Sequence, residues 1–340
     1  MYRKHFGLTR HPFSKGIDTD NLFPSLALRE LDARLAHLLD LRGIGLVTGD
    51  SGCGKTSACR KLVASLHSGL YKPLYVSLTT GNVMDLYKSI AWELGLHTER
   101  NRAGLFRQIC AEVSRLVADA RQKPILIVDE AHLLRNDVLE ELRLLTNYNM
   151  DSDNRLCLLL VGHPELRRRL GMAVHEALAQ RIVVRAAVPG LTRDEVPVYL
   201  QHLLRIAGTE LPLFDPPAVE ALFQASSGLP RKLNLLAHHA LLAAALAKAK
   251  GVSPLHVQAA AAEISLGQLA RATSGSLFGG AYARLRWIKS TDVEKTPRRP
   301  PSLARRCRVS SPLSPNAVPN SGNSPLPHFE ILPPLPARLF

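Results

Sequence analysis

One stretch limits what this chain can fold into more than any other: Ile44-Gly45-Leu46-Val47-Thr48-Gly49-Asp50-Ser51-Gly52-Cys53-Gly54-Lys55-Thr56. An apolar run with the length of a buried strand stops at Gly49, turns through glycines, and resumes over Ser57 to His67 as a predicted helix. Gly49 through Thr56 fits G-x-x-x-x-G-K-[ST], the phosphate-binding loop. Glycines let backbone N–H groups curl around an anion, and the helix that follows offers its positive dipole end. Lys55 is placed to reach β- and γ-phosphates, and the Thr56 hydroxyl to ligate Mg²⁺. Gly49, Asp50, Ser51, Gly52, Cys53, Gly54, Lys55, Thr56 and Ser57 are therefore the candidate nucleotide-binding residues. Cys53 occupies a loop position whose side chain need do no chemistry, so it reads as a filler that could be alkylated.

The second half of such a site is expected at an acidic strand end. Ile125-Leu126-Ile127-Val128-Asp129-Glu130 follows Lys123-Pro124, and four apolar residues in a row suit a strand covered on both faces. Asp129 would hold Mg²⁺ through water, and Glu130 would orient or activate an attacking water. The expectation is of a triphosphate and its metal between the glycine loop and this acid pair on an adjoining strand. Asp129-Glu130-Ala131-His132 also spells a helicase box, but a helicase of that type needs two tandem sheet domains and this chain has room for one plus a small lid. His132 is read instead as the start of the next helix, over Val138 to Tyr148.

The other elements fit an α/β fold with a parallel sheet. Leu26 to Leu41 is helical by spacing, Leu74 to Leu78 a second strand, Asn82 to Leu94 and Arg102 to Arg121 helices, and Leu156 to Val161 and Ile182 to Val188 further strands. His163 follows one of these strands and stands beside the acidic pair if the two strands are neighbours, where it is either structural or catalytic. Arg167, Arg168 and Arg169 suit a solvated basic face better than the isolated Arg181 does. Arg181 is the candidate for an arginine that stabilises charge on a neighbouring subunit's nucleotide. Before the first strand, Phe6-Gly7-Leu8, Pro12-Phe13-Ser14 and Leu22-Phe23-Pro24 form an aromatic strap that either packs across a core or closes over a base.

From the capping box Thr192-Arg193-Asp194-Glu195 to about residue 265 the pattern is all-helical, and Arg231 there either points back at the γ-phosphate or lies on the surface. Beyond it, proline, serine and arginine dominate, and the reading is a basic disordered tail. The predicted organisation is 1–43, an N-terminal strap and helix of the core; 44–190, the phosphate-loop core; 191–265, a helical lid; and 266–340, the tail.

Charge and cysteines narrow the setting. A formal net charge of +14 favours a polyanionic partner, nucleic acid first and acidic lipid second. Five cysteines without a C-x-x-C fit a reducing interior with neither a disulfide frame nor a zinc site. Arg3, Lys4 and His5 are followed by no apolar signal-peptide region, and the apolar run Leu233 to Ala247 is too short to span a bilayer. The expectation is a soluble, cytoplasmic protein with no membrane span.

With the loop, the acidic strand end, Gly162-His163-Pro164-Glu165-Leu166, Gln180-Arg181-Ile182 and Gly228-Leu229-Pro230-Arg231 all in order, residues 1–265 resemble the ExeA-like AAA+ ATPases. The resemblance implies a three-layer αβα P-loop core with a helical lid, ATP and Mg²⁺ as ligands, and homo-oligomers with nucleotide at subunit junctions. It assigns Walker A to Gly49 through Thr56, Walker B to Asp129 and Glu130, sensor 1 to His163, the arginine finger to Arg181 and sensor 2 to Arg231. Relatives often carry an amide where His163 stands. One branch of that family serves envelope secretion and carries a membrane span and a wall-binding part. The other resembles DNA-transposition helpers of the TniB, MuB and IstB types, which coat double-stranded DNA and recruit a transposase. A basic tail without a span favours the second.

Overall fold

The computed structural model describes residues 1–14, 16–77, 82–97 and 99–265. The tail expected beyond residue 265, and Leu78 at the end of the second predicted strand, lie outside the described residues. The strands β1 (Ile44–Gly49), β2 (Tyr71–Ser77), β3 (Lys123–Asp129), β4 (Cys157–Gly162) and β5 (Ile182–Val188) form one parallel sheet in the order β2-β3-β4-β1-β5. β1 and β4 are buried at every position, which explains their uninterrupted apolar sequence. β5, at an edge, alternates buried Ile182, Val184, Ala186 and Val188 with exposed Val183, Arg185 and Ala187.

Two apolar layers sandwich the sheet. On one face Leu46, Leu126, Val128, Leu158 and Leu160 meet α4 (Val83–Leu94), α5 (Arg102–Ala118) and α6 (Asn136–Leu145). On the other, Val47, Ile125, Ile127, Leu159 and Val161 meet α2 (Leu26–Leu41) and α3 (Lys55–Ser65). Alternate strand residues thus serve opposite layers, as the pleat requires. The short helices α7 (Pro164–Leu170) and α8 (Glu176–Gln180) link β4 to β5. This is the three-layer αβα P-loop fold.

A helical lid follows: α9 (Glu195–Ile206), α10 (Pro216–Ser226), α11 (Pro230–Leu246) and a last segment over 254–265. The capping box at its entrance is present. Thr192 N–H donates to Glu195 Oε2 at 2.9 Å, and Glu195 N–H to Thr192 Oγ1 at 3.3 Å. The other Glu195 oxygen accepts from Leu26 N–H at 2.8 Å, which ties the lid to the start of α2. Burial pushes this carboxyl up, but the bonds from Thr192 and Leu26 outweigh it and hold it below the ordinary glutamate value.

The opening segment departs from the expected division. Only α2 joins the sheet. The strap, including the short helix α1 (Tyr2–His5), packs on the lid: Tyr2, Phe6 and Leu8 are buried among Leu203, Leu204, Phe214 and Leu241. Thr9 anchors it, its N–H and hydroxyl both donating to Ala207 O, at 2.9 and 2.8 Å. Aromatic residues in a short segment signal burial without saying which element supplies the other surface. The 3-10 turn Thr19–Asn21 nevertheless lies against α3, the helix that leaves the phosphate loop.

A second difference follows β3. Glu130 is left-handed (φ 53°), the chain passes through a 3-10 turn over Ala131–Leu133, and α6 begins only at Asn136. His132 therefore belongs to a separate turn and does not start the helix.

Candidate nucleotide site

The loop is built by two left-handed glycines. Gly52 (φ 84°) and Gly54 (φ 111°) take conformations that cost L side chains energy, and Gly54 caps α3 from that geometry. The helix consequently starts at Lys55, two residues before the expected Ser57, which sits half-buried in its first turn. Asp50 and Ser51 are exposed at the crest, and Gly49 is closed in by Val188 O, 2.5 Å from where a Cβ would stand. Cys53 turns inward beneath the loop, and burial raises its thiol pKa, so it is a filler and a poor alkylation target.

Lys55 is buried (6% exposed), and its Nζ donates to Gly49 O at 2.8 Å and Asp50 O at 2.9 Å. No carboxylate pairs with it among the described residues. A buried ammonium facing only neutral acceptors keeps an uncompensated charge, so the loop is electrostatically prepared for an anion.

β3 is not the neighbour of β1. β4 lies between them, because the chain leaves β1 for the far edge and returns through β3. Asp129 nevertheless reaches the end of the loop, since it closes β3 at the same end of the sheet at which Thr56 opens α3. Thr56 Oγ1 donates to Asp129 Oδ2 at 2.9 Å. Asp129 is buried (3% exposed), and its Oδ1 accepts from Glu130 N–H at 2.8 Å. Tyr75 of β2 donates its hydroxyl to Asp129 Oδ2 at 2.8 Å; burial and then that bond to a carboxylate push the phenol pKa up, so it serves only as a donor.

β3 and β4 are neighbours, so His163 does come beside the acidic pair, with His132 between them. His132 Nδ1 is 3.4 Å from Glu130 Oε2 and 3.4 Å from the His163 nitrogen, whose N–H points at it; the two imidazoles are 5.4 Å apart. Arg169 is no solvated face. It donates to His132 O at 2.6 Å, to Leu134 O at 2.7 Å and to Asn136 Oδ1 at 2.9 Å, and so pins the turn after Glu130.

Arg231, in the first turn of α11, comes back to the loop. Its N–H donates to Gly52 O and its Nη1 to Ser51 Oγ, both at 3.2 Å. Arg181 stands just before β5, at the opposite end of the strands, and its Nη1 donates to Arg143 O at 3.3 Å and Thr146 Oγ1 at 3.4 Å. A strand of this length separates it from the loop by roughly 20 Å, so in one protomer it does not join the site. A hollow of about 540 Å³ lined by Tyr71, Lys72, Leu94, Glu112 and Arg115 opens at the amino end of β2 and contains none of the site residues.

Sequence reasoning missed Tyr75, His132 and Arg169. Tyr75 carried a readable signal: between Leu74 and Val76, which face α4 and α5, it must face α3 and the loop. Arg169 carried none, since its partners are carbonyl oxygens. No helix among the described residues is long and apolar enough to cross a membrane, and no group of three or more His, Cys, Asp or Glu suits a metal ion.

Residues 38–170 match the family described as AAA domain. The chain is 35% identical over 247 residues to General secretion pathway protein A of Aeromonas hydrophila, covering 72% of this chain and 45% of that protein. It thus spans less than half the length of that relative. Among solved structures, the ORC1 protein of Aeropyrum pernix in complex with DNA superposes with a TM-score of 0.56 at 22% identity, over 74% of this chain and 68% of that one. Cdc6p from Pyrobaculum aerophilum gives 0.55 at 18%, over 73% and 71%. At these identities the likeness is one of fold. Residues 38–170 are thus similar to the AAA domain and lie on a P-loop αβα fold, and that fold implies nucleotide binding.

Proposed function

We propose that the chain is a Mg²⁺-dependent ATP hydrolase. One observation carries the reading: the hydroxyl of Thr56, next in the chain to the buried Lys55 of the glycine loop, on the Asp129 carboxylate. The donor set suits the metal, a hydroxyl and a carboxylate oxygen being hard ligands, and the glycine cradle suits the phosphates. Thr56 and Asp129 would hold Mg²⁺, which when bound neutralises charge developing on the phosphate oxygens. Lys55 and the loop amides orient the triphosphate. Glu130 takes the proton of the attacking water as its oxygen bonds to the γ-phosphorus and the bond to the β-phosphate oxygen breaks, releasing ADP and phosphate. His163 and Arg231 read the γ-phosphate as sensors, and Arg181 acts on a neighbouring subunit's nucleotide in a homo-oligomer.

Two readings of the client stand beside this chemistry. The net charge of +14 supports a cytoplasmic DNA-coating oligomer that recruits a transposase. The relative named for general secretion supports an ATPase of a secretion assembly complex. Of the 14 net charges, 8 lie in residues 266–340 (11 Lys and Arg against 3 Asp and Glu), so the DNA reading leans on the tail.

The test pairs turnover with retention of duplex DNA. Glu130→Gln is expected to cut hydrolysis by about 10²–10⁴-fold while keeping ATP bound, and ATP-dependent DNA retention should fall steeply with salt. Unchanged turnover in Glu130→Gln removes the catalytic assignment. Absence of ATP-dependent DNA retention removes the transposition reading and leaves the secretion one.

A further inference from the structure

Asp129 is held on more sides than a phosphate-loop site requires. Its Oδ2 accepts two hydroxyls, Thr56 at 2.9 Å and Tyr75 at 2.8 Å, and its Oδ1 accepts the Glu130 N–H at 2.8 Å. A carboxylate has about four acceptor positions, so three are filled by groups from three different places in the chain. The Thr56 hydroxyl comes from α3 and the Glu130 amide from the strand's own end. The third comes from β2, which is hydrogen-bonded to β3 in register, Tyr75 opposite Ile127 and Ser77 opposite Asp129. Two residues of offset along a parallel ladder bring a long phenol, and few shorter side chains, to the carboxylate. Tyr75 is 39% exposed, so its ring is not there to fill the core; its neighbours Leu74 and Val76 do that.

We propose that Tyr75 is a positioning residue for the metal: its hydroxyl fixes the plane of the Asp129 carboxylate so that it faces the Thr56 hydroxyl before Mg²⁺ arrives. The inference rests on the nucleotide reading given above. A carboxylate free to rotate would have to be ordered at the moment of binding, whereas one clamped on three sides meets the metal ready-made. Partners that orient a metal-holding carboxylate typically change metal affinity by 10–100-fold. The effect should therefore fall on Mg²⁺ dependence and leave the chemistry at saturating metal largely intact, which a residue needed only for folding would not produce.

The experiment titrates Mg²⁺ in ATP hydrolysis by the full chain and by Tyr75→Phe, and titrates Mn²⁺ by its paramagnetic resonance signal with AMP-PNP bound. Tyr75→Phe is expected to raise the half-saturating Mg²⁺ and the Mn²⁺ dissociation constant roughly tenfold, with the maximal rate recovered at high Mg²⁺ and the urea midpoint unchanged. Equal metal dependence in the two proteins, or tighter binding in the variant, overturns the proposal while the hydrolysis reading stands. A wild-type chain that neither hydrolyses ATP nor binds Mn²⁺ with AMP-PNP overturns both. Should the variant lose stability, 3,5-difluorotyrosine at position 75 keeps the bond and reports through its fluorine resonance. A shift on adding Mg²⁺ to the AMP-PNP complex supports the clamp, and no shift overturns it.

Discussion

Single residues around the loop have little room to change. An ideal Cβ on Gly52 would stand 2.5 Å from Arg231 Cβ, and the backbone there is left-handed. Gly52→Ala should therefore strain the loop and push Arg231 away together, costing about 1–3 kcal/mol of stability and weakening nucleotide binding more than Ser51→Ala does. Urea unfolding and nucleotide titration of the two variants check this. The glycine turn between β1 and α3 was legible in the sequence from residue types at fixed local spacing, whereas the helix start at Lys55 and the burial of Cys53 were not. For Tyr75 only the face was legible, from its place between Leu74 and Val76, and for Arg169 nothing was, because each acts on a partner that only strand order and turn geometry bring near.

At the level of elements, strands were more readable than their surroundings. An uninterrupted apolar run marks a strand covered twice, and β1, β3 and β4 each show one. That β4 separates the loop strand from the acid strand is a matter of topology, which local pattern does not encode. The strap was expected to pack across a core or close over a base and was grouped with the sheet core, whereas Tyr2, Phe6 and Leu8 pack in the lid. There Tyr2 OH lies 2.9 Å from His11 Nδ1 and 3.0 Å from His238 Nδ1, with Arg3, His239 and the His239 partner Glu263 around them. Burial, then the neighbouring His239 and His11, depress the His238 pKa below its ordinary value. A histidine held neutral in the fold takes up its proton more readily in the unfolded chain. Stability is thus full above about pH 6.5 and declines as pH falls from there toward the depressed value. His238→Asn, which keeps an acceptor for Tyr2, should lose less of its urea midpoint than the wild type between about pH 7.5 and pH 5.5. Equal losses would contradict this account of the strap.

For the molecule as a whole, lid and core meet where the nucleotide is expected. Arg231 N–H on Gly52 O and Leu26 N–H on Glu195 Oε1 join the lid to the loop and to α2, and Leu191 N–H on Gly228 O ties the start of the lid to the turn before α11. Gly228 is left-handed, and a Cβ there would collide with the Leu191 carbonyl. Gly228→Ala is accordingly expected to cost about 3 kcal/mol and to loosen the lid, seen as faster proteolysis near residue 190. Everything proposed for this protein depends on a triphosphate and its metal occupying the loop. Calorimetric titration of ATP into the full chain, with Mg²⁺ and with EDTA, tests that most directly. The account predicts one site that needs Mg²⁺ for tight binding in the wild type and none in Lys55→Ala. A wild-type chain that takes up no adenine or guanine nucleotide with Mg²⁺ present, or a Lys55→Ala variant that binds as well as the wild type, would contradict it.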